Sequence, residues 1–368
     1  MFVILHFLAN IDRTVKSDNV HNIDKIVNNN RGVFFKLVMS YKIGFHVSIS
    51  GGISNSVDNA LKIGCNAFQI FSRSPRGWAA KPLQEEDVKN FRKRLNDSKI
   101  NRNSVFVHMP YLPNLSSPNN RLYKKSTNIL AEEVSRSVAL GIPFIVLHLG
   151  SHGGKGSNTG ISRLVKACNF AVENYYKLLP TAVTSATKNK KKGSNNWSSK
   201  DSNENEYVTI ILENSAGEKN SIGSKFDELG LIVDKLLDSS SSRRKSFGIC
   251  LDTCHAFAAG YDLRTEDAIN ETLDQFKSKV GLKNLKVIHL NDSKDKLNSN
   301  RDRHEHIGLG KIGKEGFSAL LKHKAVKRLP IIMETPVDKR RNDSDNLRVV
   351  LDLLNNNNKK GRRKNSYY

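Results

Sequence analysis

From Tyr41 onward, short apolar runs alternate with longer stretches in which apolar residues recur at every third or fourth position. The short runs are rich in Val, Ile and Phe and start near Ile43, Ala67, Val105, Phe144, Val208, Phe247, Val287 and Pro330. Their length and β-branched content predict strands. Between them, Ser126–Leu140, Ser162–Tyr176, Ser224–Leu237 and Thr265–Val280 carry helical periodicity. Strands alternating with helices across residues 41–354 predict an α/β fold, a closed (β/α)₈ TIM barrel rather than an open sheet. Residues 1–40 precede that pattern, a Ser/Asn/Lys-rich insertion at 182–206 interrupts it, and an Asn-rich then basic tail at 355–368 follows. Such compositions bury too little apolar area to offset ordering entropy, so all three are expected outside the barrel. The insertion follows a helix and precedes a strand, which puts it on the face opposite the strand ends.

The residues on which the apolar runs end carry the chemistry. Val105–Val107 end in His108, Phe144–Leu147 in His148, Val208–Leu212 in Glu213, and the run at 248–251 in Asp252. Val287–Ile288 end in His289 and Ile331–Met333 in Glu334, while His255 lies one helical turn beyond Asp252. Asp302 and His304 come from the long loop after the seventh strand, on either side of Arg303. Every parallel strand of such a barrel delivers its last residue to one rim, so these side chains should converge. Core histidines arising independently would rarely all fall in that register. Imidazole with carboxylate oxygen suits zinc and also manganese. The set could hold two or three divalent ions, with Glu213 or Asp252 bridging. Such a cluster activates water, neutralises phosphoryl oxygens and stabilises a departing alkoxide. His46 and His152 are candidates for supporting the ligands or touching substrate; His306 and His323 read as loop and surface residues.

Charge narrows the partner. Lys and Arg number 59 against 36 Asp and Glu, a net +23, which points to a polyanion and to nucleic acid before membrane. Part of the excess lies in Lys188–Lys192 and in Lys359, Lys360, Arg362, Arg363 and Lys364. No apolar stretch approaches the ~20 residues that span a bilayer. Cys65, Cys168, Cys250 and Cys254 form no CxxC pair and read as reduced thiols. Cys250 lies within a strand and is expected to point away from the strand end, leaving no thiolate in the metal set. Two rim loops suit DNA: SRSPRGWAAKPL presents Arg73, Arg76 and Trp78, and HMPYLPNLSSP presents Tyr111 and Leu112. Arginine beside aromatic and aliphatic tips suits phosphate contact with a wedge between base steps. In the alternative reading, Trp78 caps the barrel.

Across about residues 42–354 the chain resembles the endonuclease IV family of apurinic/apyrimidinic (AP) endonucleases. The stretches carrying the likeness are GFHVSISGG, SPRGW, HMPYLPNL, LHLGSH, ILENSAG, GICLDTCHAFAAGYDLRT, HLNDSK, DRHEHIGLGKIG and METP. The resemblance implies a trinuclear zinc site. His108, His148 and Glu213 would hold one ion; Glu213, Asp252, His289 and Glu334 a second; His255, Asp302 and His304 the third. It places the DNA-penetrating residues at Arg76, Tyr111 and Leu112, with Gly77 smaller than the polar residue often found there. It further implies base-excision repair: incision 5′ to an abasic site in double-stranded DNA, with 3′-phosphodiesterase action on blocked 3′ ends. A metal-dependent sugar isomerase or epimerase on the related barrel is the main rival, and a non-catalytic DNA-binding barrel the other. The chain is expected to act as a monomer. The basic tail suggests the nucleus; the leader would offer a mitochondrial or plastid address instead.

Overall fold

The computed structural model describes residues 41–178, 208–238 and 247–363. The leader at 1–40, the insertion at 182–206 and residues 364–368 lie outside the described residues. Eight strands form the barrel: β1 Lys42–His46, β2 Ala67–Phe71, β3 Val105–His108, β4 Phe144–His148, β5 Thr209–Glu213, β6 Phe247–Asp252, β7 Leu285–His289 and β8 Pro330–Met333. They close in the order β1-β8-β7-β6-β5-β4-β3-β2, with every neighbouring pair parallel. The helices are α1 Asn55–Ile63, α2 Glu85–Ser98, α3 Asn120–Leu140, α4 Ser157–Leu178, α5 Phe226–Asp238, α6 Thr253–Ala258, α7 Glu266–Lys279, α8 Gly313–Lys322 and α9 Asp343–Arg363. The last helix continues past residue 354, where the barrel domain was expected to end.

Strand alternation divides the apolar residues into two layers. Phe68, Ile70, Val107, Leu147, Leu212 and Leu251 point outward and join the helices in the larger core. Ala67, Phe106, Val146, Ile211, Cys250, Val287 and Ile332 point inward and fill the barrel. Phe106 stacks on Phe144 in that interior, with ring centroids 5.3 Å apart. β1 contributes Gly44 where it lies tightest against β2: a Cβ there would sit 1.7 Å from the Ala67 carbonyl oxygen. Sliding any strand by one residue would exchange its inner and outer sets, so burial on both faces pins the register.

Candidate metal centre

The site follows from that inner layer. Two residues beyond each interior side chain, the same face of the strand reaches the rim. Phe106 leads to His108, Val146 to His148, Ile211 to Glu213, Cys250 to Asp252, Val287 to His289 and Ile332 to Glu334. The same step from Gly44 and Ala67 reaches His46 and Gln69. The rim is thus a ring of polar side chains over an apolar plug.

Glu213 is fully buried and sits at the hub of this ring. Its Oε2 lies 3.2 Å from His108 Nε2 and 3.9 Å from His148 Nδ1. Its Oε1 lies 3.1 Å from His289 Nδ1 and 3.4 Å from His255 Nδ1. Burial alone would raise the Glu213 carboxyl, but the imidazoles of His289, His148 and His108 outweigh it and hold the group well below the usual carboxylate range. Asp252 caps α6 by accepting from the His255 backbone N–H at 2.7 Å. Its other oxygen accepts from Asn291 Nδ2 at 2.7 Å and lies 3.7 Å from His304 Nε2. His255 Nε2 and His304 Nε2 flank Asp302 Oδ1 at 3.1 and 3.3 Å. Against the pull of burial, those two imidazoles bring Asp302 down to about 2.

Hydrogen bonds on the far side of three of the rings set their tautomers. The Nδ1 atoms of His108, His255 and His304 face the carbonyl oxygens of Met109 (2.7 Å), Asn214 (2.8 Å) and Glu334 (3.2 Å). A carbonyl only accepts, so in the neutral ring Nδ1 carries the proton and Nε2 turns a lone pair to the site. His255 Nε2 and His304 Nε2 are buried without a hydrogen bond. Orphaned acceptors at the same carboxylate are what a cation would satisfy. Donor atoms within 4.8 Å of one another occur in His108, His148 and Glu213, in Glu213, Asp252, His289 and Glu334, and in Asp252, His255 and His304. These residues fit divalent metal.

The third set depends on a small hairpin. Asp292–Ser293 pairs antiparallel with His304–Glu305, bringing Asp302 and His304 back over the rim. Buried Asp292 accepts from the backbone N–H groups of Ser293, Gly308, Gly310 and Ile312 at 2.8–3.0 Å, tying down the following loop. Above the centre lies a cleft of about 1060 Å³ whose walls include Tyr111, Leu112, His148, Lys219, Arg301 and Asp302. Tyr111 is 61% exposed and Leu112 39%. Tyr111 is edge-on to Phe71, 5.2 Å between centroids, and Arg76 is exposed on the adjacent loop.

The expectations for Arg73, His306 and Cys250 need correction. Arg73 is buried, ion-paired with Glu133 and, at 2.9 Å, with Glu132 of α3; it anchors its loop instead of facing DNA. Trp78 is half-buried with Lys125 Nζ 4.1 Å over its ring. His306 is fully buried and bonded to Asp338 at 3.0 Å and Asn346 at 2.9 Å, so it is no surface residue. Cys250 points into the barrel below Asp252, and its sulfur groups with Glu213 and His289; Cys254 groups with Asp302 and His304. Burial pushes both thiols up to about 12, which leaves them neutral at ordinary pH in the metal-free protein. His152 shapes its own loop, its Nδ1 accepting from Gly156 N at 3.0 Å. His323 is partly exposed, at the end of α8. Sequence reasoning missed Gln69, Asn214 and Asn291. Counting two residues on from Ala67 and from His289 finds the first and the last.

The closed parallel barrel with its polar rim places the chain among TIM barrels, and residues 57–357 match the family model described as the xylose isomerase-like TIM barrel. A probable endonuclease 4 from Nitrosopumilus maritimus (strain SCM1) is 48% identical over 307 residues, 83% of this chain and 98% of that protein. Endonuclease IV from Thermus thermophilus superposes with a TM-score of 0.67 at 30% identity, over 86% of this chain and 99% of that one. A D-tagatose 3-epimerase-like protein, at 18% identity and a TM-score of 0.58 over 86% of this chain and 99% of its own, shares the fold alone. The chain belongs to the endonuclease IV family of AP endonucleases.

Proposed function

We propose that this chain hydrolyses the phosphodiester 5′ to an abasic site in double-stranded DNA, leaving a 3′-hydroxyl and a 5′-deoxyribose phosphate. Trimming of blocked 3′ ends belongs to the same proposal, because it also cleaves a phosphodiester bonded to a 3′ carbon. The observation that carries it is the overlap of donor groups through Glu213 and Asp252 beneath a cleft edged by Tyr111 and Leu112. An isomerase or epimerase needs one or two metals, and the set of His255, Asp302 and His304 is surplus to that need.

Zinc is the proposed metal, three ions per chain, with manganese as a substitute. His108, His148 and Glu213 would hold one; Glu213, Asp252, His289 and Glu334 a second; His255, Asp302 and His304 the third. Bound there, the ions supply Lewis acidity, an activated water and charge neutralisation at the phosphoryl oxygens. The protein does the rest. His108, His255 and His304 keep Nδ1 on carbonyl oxygens and so present only acceptors to the centre. Arg76 suits a phosphate, and Tyr111 with Leu112 suits the gap left by a missing base. An abasic nucleotide has no base to unstack and enters the cleft at low cost. During cleavage a water oxygen forms a bond to phosphorus as the bond from phosphorus to the upstream 3′ oxygen breaks; the water gives up its proton, the departing 3′ oxygen takes one, and the phosphate stays with the abasic sugar. The chain is proposed to work as a monomer and in the nucleus, through the basic tail; the leader would direct a mitochondrial or plastid form.

Incision of an abasic duplex, with and without chelator, is the direct test. About three zinc per chain, activity lost on chelation and regained with zinc is the expected result. Glu213→Ala should lower incision by about 10²–10³-fold or more, the scale of losing one charge-stabilising element, while circular dichroism stays that of the parent. A zinc-free protein that still cuts, or a variant within a few-fold of the parent, sinks the reading.

A further inference from the structure

Of the metal-site histidines that hydrogen-bond away from the centre, three use a backbone carbonyl and one does not. The ring of His289 is reversed: Nδ1 faces Glu213 at 3.1 Å and Glu334 at 3.6 Å, while Nε2 meets the Gln69 side-chain oxygen at 3.1 Å. Gln69 is fully buried on β2, the strand that supplies no acidic or imidazole residue to the rim ring. Its amide nitrogen lies 2.7 Å from Glu334 Oε1 and 3.0 Å from His46 Nδ1.

The orientation of that amide follows from chemistry. An ionised carboxylate only accepts, so the Gln69 nitrogen must face Glu334 and its oxygen must face His289. The oxygen also only accepts, so His289 carries its proton on Nε2. In the neutral ring, the form that binds metal, the Nδ1 lone pair is then the one presented on the side of Glu213 and Glu334. With both amide hydrogens committed, His46 Nδ1 is an acceptor. One amide therefore sets the tautomer of His289 and the rotamer of Glu334, two residues placed on the same ion.

We propose that Gln69 is a positioning residue for the metal centre, doing for His289 what backbone carbonyls do for His108, His255 and His304. Partners of this kind orient the ligand and raise its basicity, and their loss costs about 10–100-fold in metal affinity. Leucine at this position keeps most of the volume and removes both interactions. His289 is then free to present either nitrogen, and Glu334 loses its anchor.

The proposal rests on the zinc reading above, and the experiment separates the two. Zinc affinity is measured by competition with a chromogenic chelator on full-length wild-type protein and on Gln69→Leu. In the zinc-loaded proteins, the imidazole N–H resonance of His289 reports exchange with solvent. Wild type should bind zinc and show a protected His289 Nε2–H. Gln69→Leu should bind one ion about 10–100-fold more weakly and lose that protection. Gln69→Met serves as a second variant should the leucine protein not fold. A wild-type chain that takes up no zinc overturns the metal centre itself. Variant affinity within twofold of wild type, or weaker zinc with the His289 N–H still protected, overturns the role of Gln69 alone.

Discussion

At His255 and His289, protons stand where cations would otherwise neutralise the carboxylates. Burial alone would lower both imidazoles. For His255, Asp252 and Asp302 outweigh it; for His289, the carboxylates of Glu334 and Glu213 do, and both rings move well above the ordinary value. Stability from these raised groups is complete below the free-imidazole value of ~6.5 and is lost as pH rises through the folded-state values. Asp302, lowered to about 2, contributes above its unfolded value of ~3.9 and loses that contribution as pH falls toward 2. For these groups, metal-free protein is at its best from about pH 4 to 6.5. Its Tm should therefore fall between pH 6 and 9, whereas zinc-loaded protein should hold its Tm because the ions have displaced the protons. Thermal unfolding in matched buffers decides it. A metal-free Tm that is level or rising over that interval contradicts this account.

At the scale of elements, the strands were legible because short β-branched apolar runs and terminal polar residues coincide, as in VFVH and TIILE. Helix starts were harder to place. α3 begins at Asn120, not Ser126, because its first turn is polar and held by the Asn119 side chain accepting from Leu122 N at 2.9 Å. Arg73 and His306 were misread because their partners lie some sixty and some thirty to forty residues away in sequence, beyond any local pattern. Gln69 escaped because an amide is not a ligand type, although the step from Ala67 marks its place. The hairpin bearing Asp302 and His304 has strands of two residues, too short for any periodicity. What holds it is Asp292, whose carboxylate burial raises but whose backbone donors keep in place. Asp292→Ala leaves those N–H groups unpaired, each costing about 1–3 kcal/mol. Urea unfolding should show a loss of roughly 3 kcal/mol or more. On the three-zinc proposal, metal content should fall from three to two per chain as the third set loosens. Retention of the full zinc content would show that the hairpin is held by something else.

Over the whole molecule, the proposed function has positive charge and the rim loops divide the work of recognition. A net +23 draws in any duplex, intact or damaged, and each phosphate neutralised by Lys or Arg steepens the salt dependence by about 0.9 in log–log slope. That attraction carries no information about a missing base. Discrimination has to come from side chains that fit only where a base is absent, and Tyr111 and Leu112 expose apolar surface beside the cleft where a gap in the stack could receive it. The two roles predict opposite signatures. Arg76→Ala should weaken binding to intact and abasic duplexes by the same factor and reduce the salt slope by about 1. Tyr111→Ala should leave the slope and intact-duplex affinity unchanged while lowering abasic-duplex affinity by about 10-fold or more, the scale of one lost stacking contact of ~1–3 kcal/mol. Fluorescence anisotropy on paired duplexes that differ only in the abasic nucleotide, across a salt series, reads both quantities at once. If Tyr111→Ala lowers both duplexes equally, the tyrosine is a backbone contact and selectivity for the damaged site must lie in the metal cleft below it.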